Sequence, residues 1–107
     1  MWVTTIVTLC VISCTNKYVF PTPTEQNSWT NKVTVVIEYA NACFAKNNIY
    51  PRILPEQYQA VLDALSVPGK YRVNSDLKGF MIQIGDYGRD GWSYNYSSGS
   101  RLWYIDR

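Results

Sequence analysis

The chain contains no histidine in 107 residues. That single absence removes the usual general base at neutral pH, the Ser-His and Cys-His nucleophile pairs and most catalytic zinc sites. Cysteine is nearly as scarce: Cys10, Cys14 and Cys43 include no C-x-x-C pair and build no disulfide framework. An excess of one charge is also lacking, since ten Lys and Arg stand against eight Asp and Glu for a net charge of +2. With no basic run beside it, that excess is too small to make nucleic acid an expected partner. The reading that follows is of a non-enzymatic protein without metal or cofactor.

What is present is apolar and aromatic. At 47% hydrophobic and 17% charged residues the chain is too apolar for disorder, and its length suits one domain with one modest core. Aromatics reach 15%, with nine Tyr and four Trp, enough that some are expected to face outward and bind something.

Residues 78–106 organise the rest. Side chains alternate with the strand period of two in residues 80–84, 92–96 and 101–105, separated by glycine- and serine-rich turns. A two-residue turn at Ser98-Gly99 sets Tyr96 opposite Arg101, Tyr94 opposite Trp103 and Trp92 opposite Ile105. Placing Gly85 opposite Gly91 sets Ile84 opposite Trp92, Ile82 opposite Tyr94 and Phe80 opposite Tyr96. Both registers gather Phe80, Ile82, Ile84, Trp92, Tyr94, Tyr96, Trp103 and Ile105 on one face, which reads as core. The other face receives Met81, Gln83, Ser93, Asn95, Leu102 and Tyr104 and reads as mostly solvated.

The N-terminus reads as an address. Residues 1–13 are apolar and free of charge, yet shorter than the ~20 residues that span a bilayer, so a signal peptide fits. The tetrapeptide Val11-Ile12-Ser13-Cys14 resembles the lipobox of bacterial lipoproteins, with an aliphatic residue three before the cysteine and a small residue directly before it. The resemblance covers about the first 16 residues, and no family is recognised for the rest. It implies that Cys14 becomes the lipidated first residue of the mature chain and that residues 1–13 are removed. It places the protein in the bacterial cell envelope, at the outer membrane or cell surface. Without the resemblance, residues 1–13 read as a buried strand or helix and Cys14 as an ordinary thiol. Residues 14–24, with Pro21 and Pro23, read as a lipid-anchored tether without regular structure.

From there the period changes to three and four. Trp29, Val33, Val36, Ile37, Ala40 and Phe44 form one stripe of a helix over about residues 25–47. The β-branched run at residues 33–37 would suit a strand, but the stripe continues through Ala40 and Phe44. Asn47-Asn48 is expected to end the helix. In a second helix Pro55 opens the first turn, and Tyr58, Val61, Leu62 and Leu65 share a face. Residues 70–73 are a further candidate strand, which a turn at Ser75-Asp76 would place with Tyr71 opposite Phe80. Residues 25–107 are thus expected to be an α+β domain: two helices packed on one face of a three- to four-stranded antiparallel meander.

Candidate sites are few. The loop Asp86-Tyr87-Gly88-Arg89-Asp90-Gly91 has a spacing close to that of a calcium loop, but Gly88 stands where a middle ligand belongs and no Glu follows. The expectation is a hairpin loop whose Asp side chains bond the backbone. As an acid/base pair the two aspartates are weaker still. Cys43 is expected to be a buried, unreactive thiol, with an intermolecular disulfide or an exposed reactive thiol as the alternatives. Met81, Leu102 and Tyr104, interleaved with Gln83, Ser93 and Asn95, form a contact patch with Asp86, Tyr87, Arg89 and Asp90 as its rim. The function read from all this is inhibitor- or immunity-like binding of an envelope protein. The alternative is a carbohydrate or peptidoglycan module that stacks sugars on surface aromatics. A groove with Asn, Gln or Asp at its edges would favour the sugar, and a flat mixed patch the protein.

Overall fold

Thr22 decides where the first element begins. In the computed structural model, which describes residues 20–107, its hydroxyl accepts the Glu25 N–H at 3.1 Å and the Glu25 carboxylate accepts the Thr22 N–H at 2.9 Å. This reciprocal cap starts helix α1, Pro23–Asn47. Pro23 was expected to keep the tether irregular; it instead takes the first helical position, where a missing N–H costs nothing. The signal peptide, Cys14 and the tether as far as Val19 lie outside the described residues.

The β-branched run is helical, as the longer stripe required, because Trp29, Val33, Val36 and Ala40 are buried together on one face. Asn48, at φ 62°, ends α1 by donating its N–H to the Phe44 carbonyl at 2.7 Å. Helix α2, Glu56–Asp63, starts one residue after Pro55, whose carbonyl accepts the N–H groups of Tyr58 and Gln59 at 3.0 Å each. Tyr39 of α1 stacks on Tyr58 of α2 at 4.2 Å between ring centres and joins the two helices.

The sheet runs β1 (Gly69–Val73), β2 (Phe80–Ile84), β3 (Ser93–Ser97) and β4 (Leu102–Asp106), each antiparallel to the next in the order of the chain. The architecture is the expected α+β fold with helices on the aromatic face, but every hairpin register differs from the expected one by two. Tyr71 faces Ile82 rather than Phe80. Ile82 faces Tyr96 rather than Tyr94, and Tyr96 faces Trp103 rather than Arg101.

The reason is the same each time: the connection is two residues longer than the expected one. Residues 98–101 form the β3–β4 loop, with Arg101 at φ 59° donating its N–H to the Ser97 carbonyl at 2.8 Å. The β1–β2 loop holds Leu77 at φ 60°, and the β2–β3 connection contains a single turn of helix, α3 (Tyr87–Asp90). A slip of two keeps every side chain on its face, so Phe80, Ile82, Ile84, Trp92, Tyr94 and Tyr96 are all buried as expected. Two residues depart. Trp103 is only half-buried and Ile105 is 36% exposed, because β4 is an edge strand with one neighbour.

The core lies between the layers. Trp29 stacks on Trp92 at 5.9 Å and 17°, and its indole N–H donates to the Ser66 hydroxyl at 3.0 Å. Val33, Val36, Leu62, Ile82 and Ile84 are fully buried, each contributing ~1.5–3 kcal/mol of transfer free energy. At the other end Tyr50 sits between Phe44 and Phe80, and the Tyr71 hydroxyl donates to the Pro51 carbonyl at 2.7 Å.

Candidate interaction surface on the open sheet face

Among the described residues no helix covers the second face of the sheet, and strand pairing sets its side chains in rows. One row runs Lys70, Gln83, Asn95, Tyr104; the next runs Arg72, Met81, Ser97, Leu102. Their parity is that of outward-pointing positions, opposite to the core residues between them. Lys70, Arg72, Leu102 and Tyr104 are exposed, Met81 and Gln83 half-buried. Cations therefore occupy the β1 edge and apolar side chains the β4 edge. Among the described residues neither Lys70 nor Arg72 makes an ion pair.

Ser93 and Asn95 were expected to be solvated, and each is only 3% exposed. They stand on a central strand, where Gln83 and Tyr104 flank Asn95 and Asp106 faces Ser93. Burial is tolerated because the Asn95 amide donates to the Ser93 hydroxyl at 3.0 Å and the Ser93 carbonyl at 3.3 Å.

The expected contact residues separate into two groups. Met81 and Leu102 share a row and Tyr104 stands in the next, so these three are brought together. Asp86, Tyr87, Arg89 and Asp90 lie past the far end of β2; at roughly 3.3 Å per residue, Asp86 is about 17 Å along the chain from Met81. Their carboxylates are engaged locally, as expected of a hairpin loop. The Asp86 carboxylate accepts the Gly88 N–H at 2.9 Å, and the Asp90 carboxylate accepts the Asp86 N–H at 2.9 Å. Arg89 closes on Asp90 at 2.8 Å, and this hydrogen bond raises the guanidinium above its ordinary value. Tyr87 is 52% exposed. Among the described residues no group of three or more His, Cys, Asp or Glu could hold a metal ion.

Cys43 is half-buried rather than buried, because it lines an open cleft of about 400 Å³ with Tyr39, Ile49, Tyr50, Arg52 and Leu77. A hydrogen bond with Cys43, followed by desolvation, raises the Tyr39 hydroxyl above its ordinary value. A second cleft, of about 470 Å³, follows the β1 edge between Gln59, Asp63, Lys70 and Arg72. Lys70 and Arg72 are the functional candidates that sequence reasoning missed. The signal was there in the alternation Lys70-Tyr71-Arg72-Val73, whose odd members face the core.

The face carries little aromatic surface, and at its Met81–Ser97 end opens a cleft of about 260 Å³ that Asn74, Lys78 and Ser98 also line. Tyr71, Phe80, Tyr94, Tyr96 and Trp103 point to the helical side, Trp103 stacking on Tyr94 at 4.7 Å, and Tyr104 is the aromatic residue of the strands on the open side. Stacking a sugar chain requires a platform of rings, whereas a mixed apolar and basic plane suits a protein surface. Among the described residues no helix is long and apolar enough to cross a membrane. No protein-family model, no curated protein and no solved structure matches this chain.

Proposed function

We propose that this chain is a small bacterial envelope lipoprotein, anchored through Cys14, whose domain binds a protein partner on the open face of its sheet. The action is non-enzymatic, of an inhibitor or immunity kind. The observation that carries the reading is the arrangement of that face: Lys70 and Arg72 on one edge, Met81 and Leu102 across the middle and far edge, and a buried, hydrogen-bonded Ser93–Asn95 pair between them. Such a plane fits a partner with an acidic rim and an apolar centre, where electrostatics steer the encounter and apolar contacts hold it.

A photo-crosslinking residue placed at Arg72 tests the face, with one at the exposed Lys32 of α1 as the reference. The expected result is a discrete adduct with an envelope protein from Arg72 and none from Lys32. Identical adducts from both positions, or none from either, refute the assignment. Binding of cell-wall fragments that is lost in Tyr104→Ala would turn the reading to a sugar module. The anchor is tested by palmitate labelling beside a Cys14→Ala variant; equal labelling, or none in either, sinks it.

A further inference from the structure

The two edges of the sheet are unlike. On β1, Lys70 and Arg72 discourage another strand from pairing, as cations on natural edge strands do. On β4 nothing does. Leu102-Trp103-Tyr104-Ile105 is apolar on both faces, holds neither lysine nor proline, and exposes 66% of Leu102, 43% of Tyr104 and 36% of Ile105. One side of its main chain bonds β3, and among the described residues no strand pairs with the N–H and C=O groups of the other.

We propose that β4 pairs antiparallel with β4 of a second copy of this chain, with the two-fold axis at Trp103, so that two four-stranded sheets become one. The chain's own side chains choose the occupant and the register. Symmetric pairing that keeps the core faces on the same side can be centred on Trp103 or on Tyr104. Centred on Tyr104, it sets Leu102 against Asp106 of the second copy, an apolar group on a carboxylate. Centred on Trp103, it sets each Trp103 against its counterpart and each Leu102 against Tyr104, while Asp106 lies past the paired residues, opposite the β3–β4 loop. Of the two, the Trp103-centred pairing matches apolar side chains throughout. The dimer leaves Arg72 and Met81 open and does not depend on the partner proposed above.

Disulfide trapping in the full chain, with Cys10, Cys14 and Cys43 replaced by serine, tests this under mild oxidation. Trp103→Cys is expected to give a covalent dimer, and Leu102→Cys alone is not, although Leu102 is the more exposed position. A second arm leaves Trp103 in place: differently tagged Leu102→Cys and Tyr104→Cys chains made together should form a mixed dimer at least ten-fold above the Leu102→Cys self-dimer. Self-dimers of Leu102→Cys as abundant as either expected product mean random collision and overturn the proposal. Absence of dimer in both arms, in chains as protease-resistant as the parent, gives the edge to another occupant and also overturns it.

Discussion

Replacing Gly85 by alanine probes the sandwich that fastens the helical layer to the sheet. Gly85 sits just past β2 at φ 83°, where an L side chain is strained by about 1–2 kcal/mol. The added methyl would also lie 2.7 Å from Cζ3 and 3.1 Å from Cη2 of Trp92. That ring is 4% exposed, and its retreat is blocked because it stacks on Trp29, itself 2% exposed and held by Ser66. Overpacking of this kind costs about 1–3 kcal/mol, so the total expected loss is ~2–5 kcal/mol. Gly91 supplies the control: it has nearly the same backbone, φ 79°, but is exposed, so Gly91→Ala should lose only the conformational part. Urea unfolding followed by far-ultraviolet circular dichroism measures both. If the two alanine variants lose the same amount within about 0.5 kcal/mol, the Trp92 ring is not pinned and the reasoning fails. Trp92→Phe in the Gly85→Ala background should recover part of the loss as a non-additive term, since the smaller ring makes room.

Thr22→Ala removes one half of the cap on α1 and should cost about 1 kcal/mol; a change in urea midpoint indistinguishable from zero would mean the helix start is set elsewhere. Burial, with smaller contributions from neighbouring Cys43 and Tyr50, holds the Tyr71 hydroxyl well above its ordinary value of about 10. The folded chain therefore keeps that proton where the unfolded chain loses it. The stability this gives is fully present below about pH 10 and is lost as pH rises above it. Tyr71→Phe should flatten, but not abolish, the fall in melting temperature across that range, because burial also raises Tyr96. A parallel fall in the two proteins would contradict this.

How much of the fold was legible follows from which signals are local. Alternation assigns a residue to a face, and a slip of two leaves that assignment intact, which is why the buried strand residues were found although no hairpin register was. Loop length was the hidden quantity. Leu77 and Arg101 adopt left-handed backbone that their side chains give no reason to expect, and the single turn of α3 replaces a plain loop. Pro23 misled in the opposite way, since the residue that breaks a helix inside it also starts one when Thr22 and Glu25 stand around it. On the open face, Met81, Leu102 and Tyr104 were placed together correctly. Alternation alone predicts a solvated Asn95, because it cannot tell a central strand from an edge. Lys70 and Arg72 carry no apolar signal of their own; on their strand only Tyr71 and Val73 mark a face.

The stacking of Trp29 on Trp92 has a spectroscopic consequence. Two indoles lying nearly parallel, 17° apart, with centres at 5.9 Å, share their excitation, and the pair exists only while helix and sheet are docked. Their coupled band in circular dichroism is a built-in optical signal of tertiary structure. It vanishes when the layers part, even if each layer keeps its own hydrogen bonds.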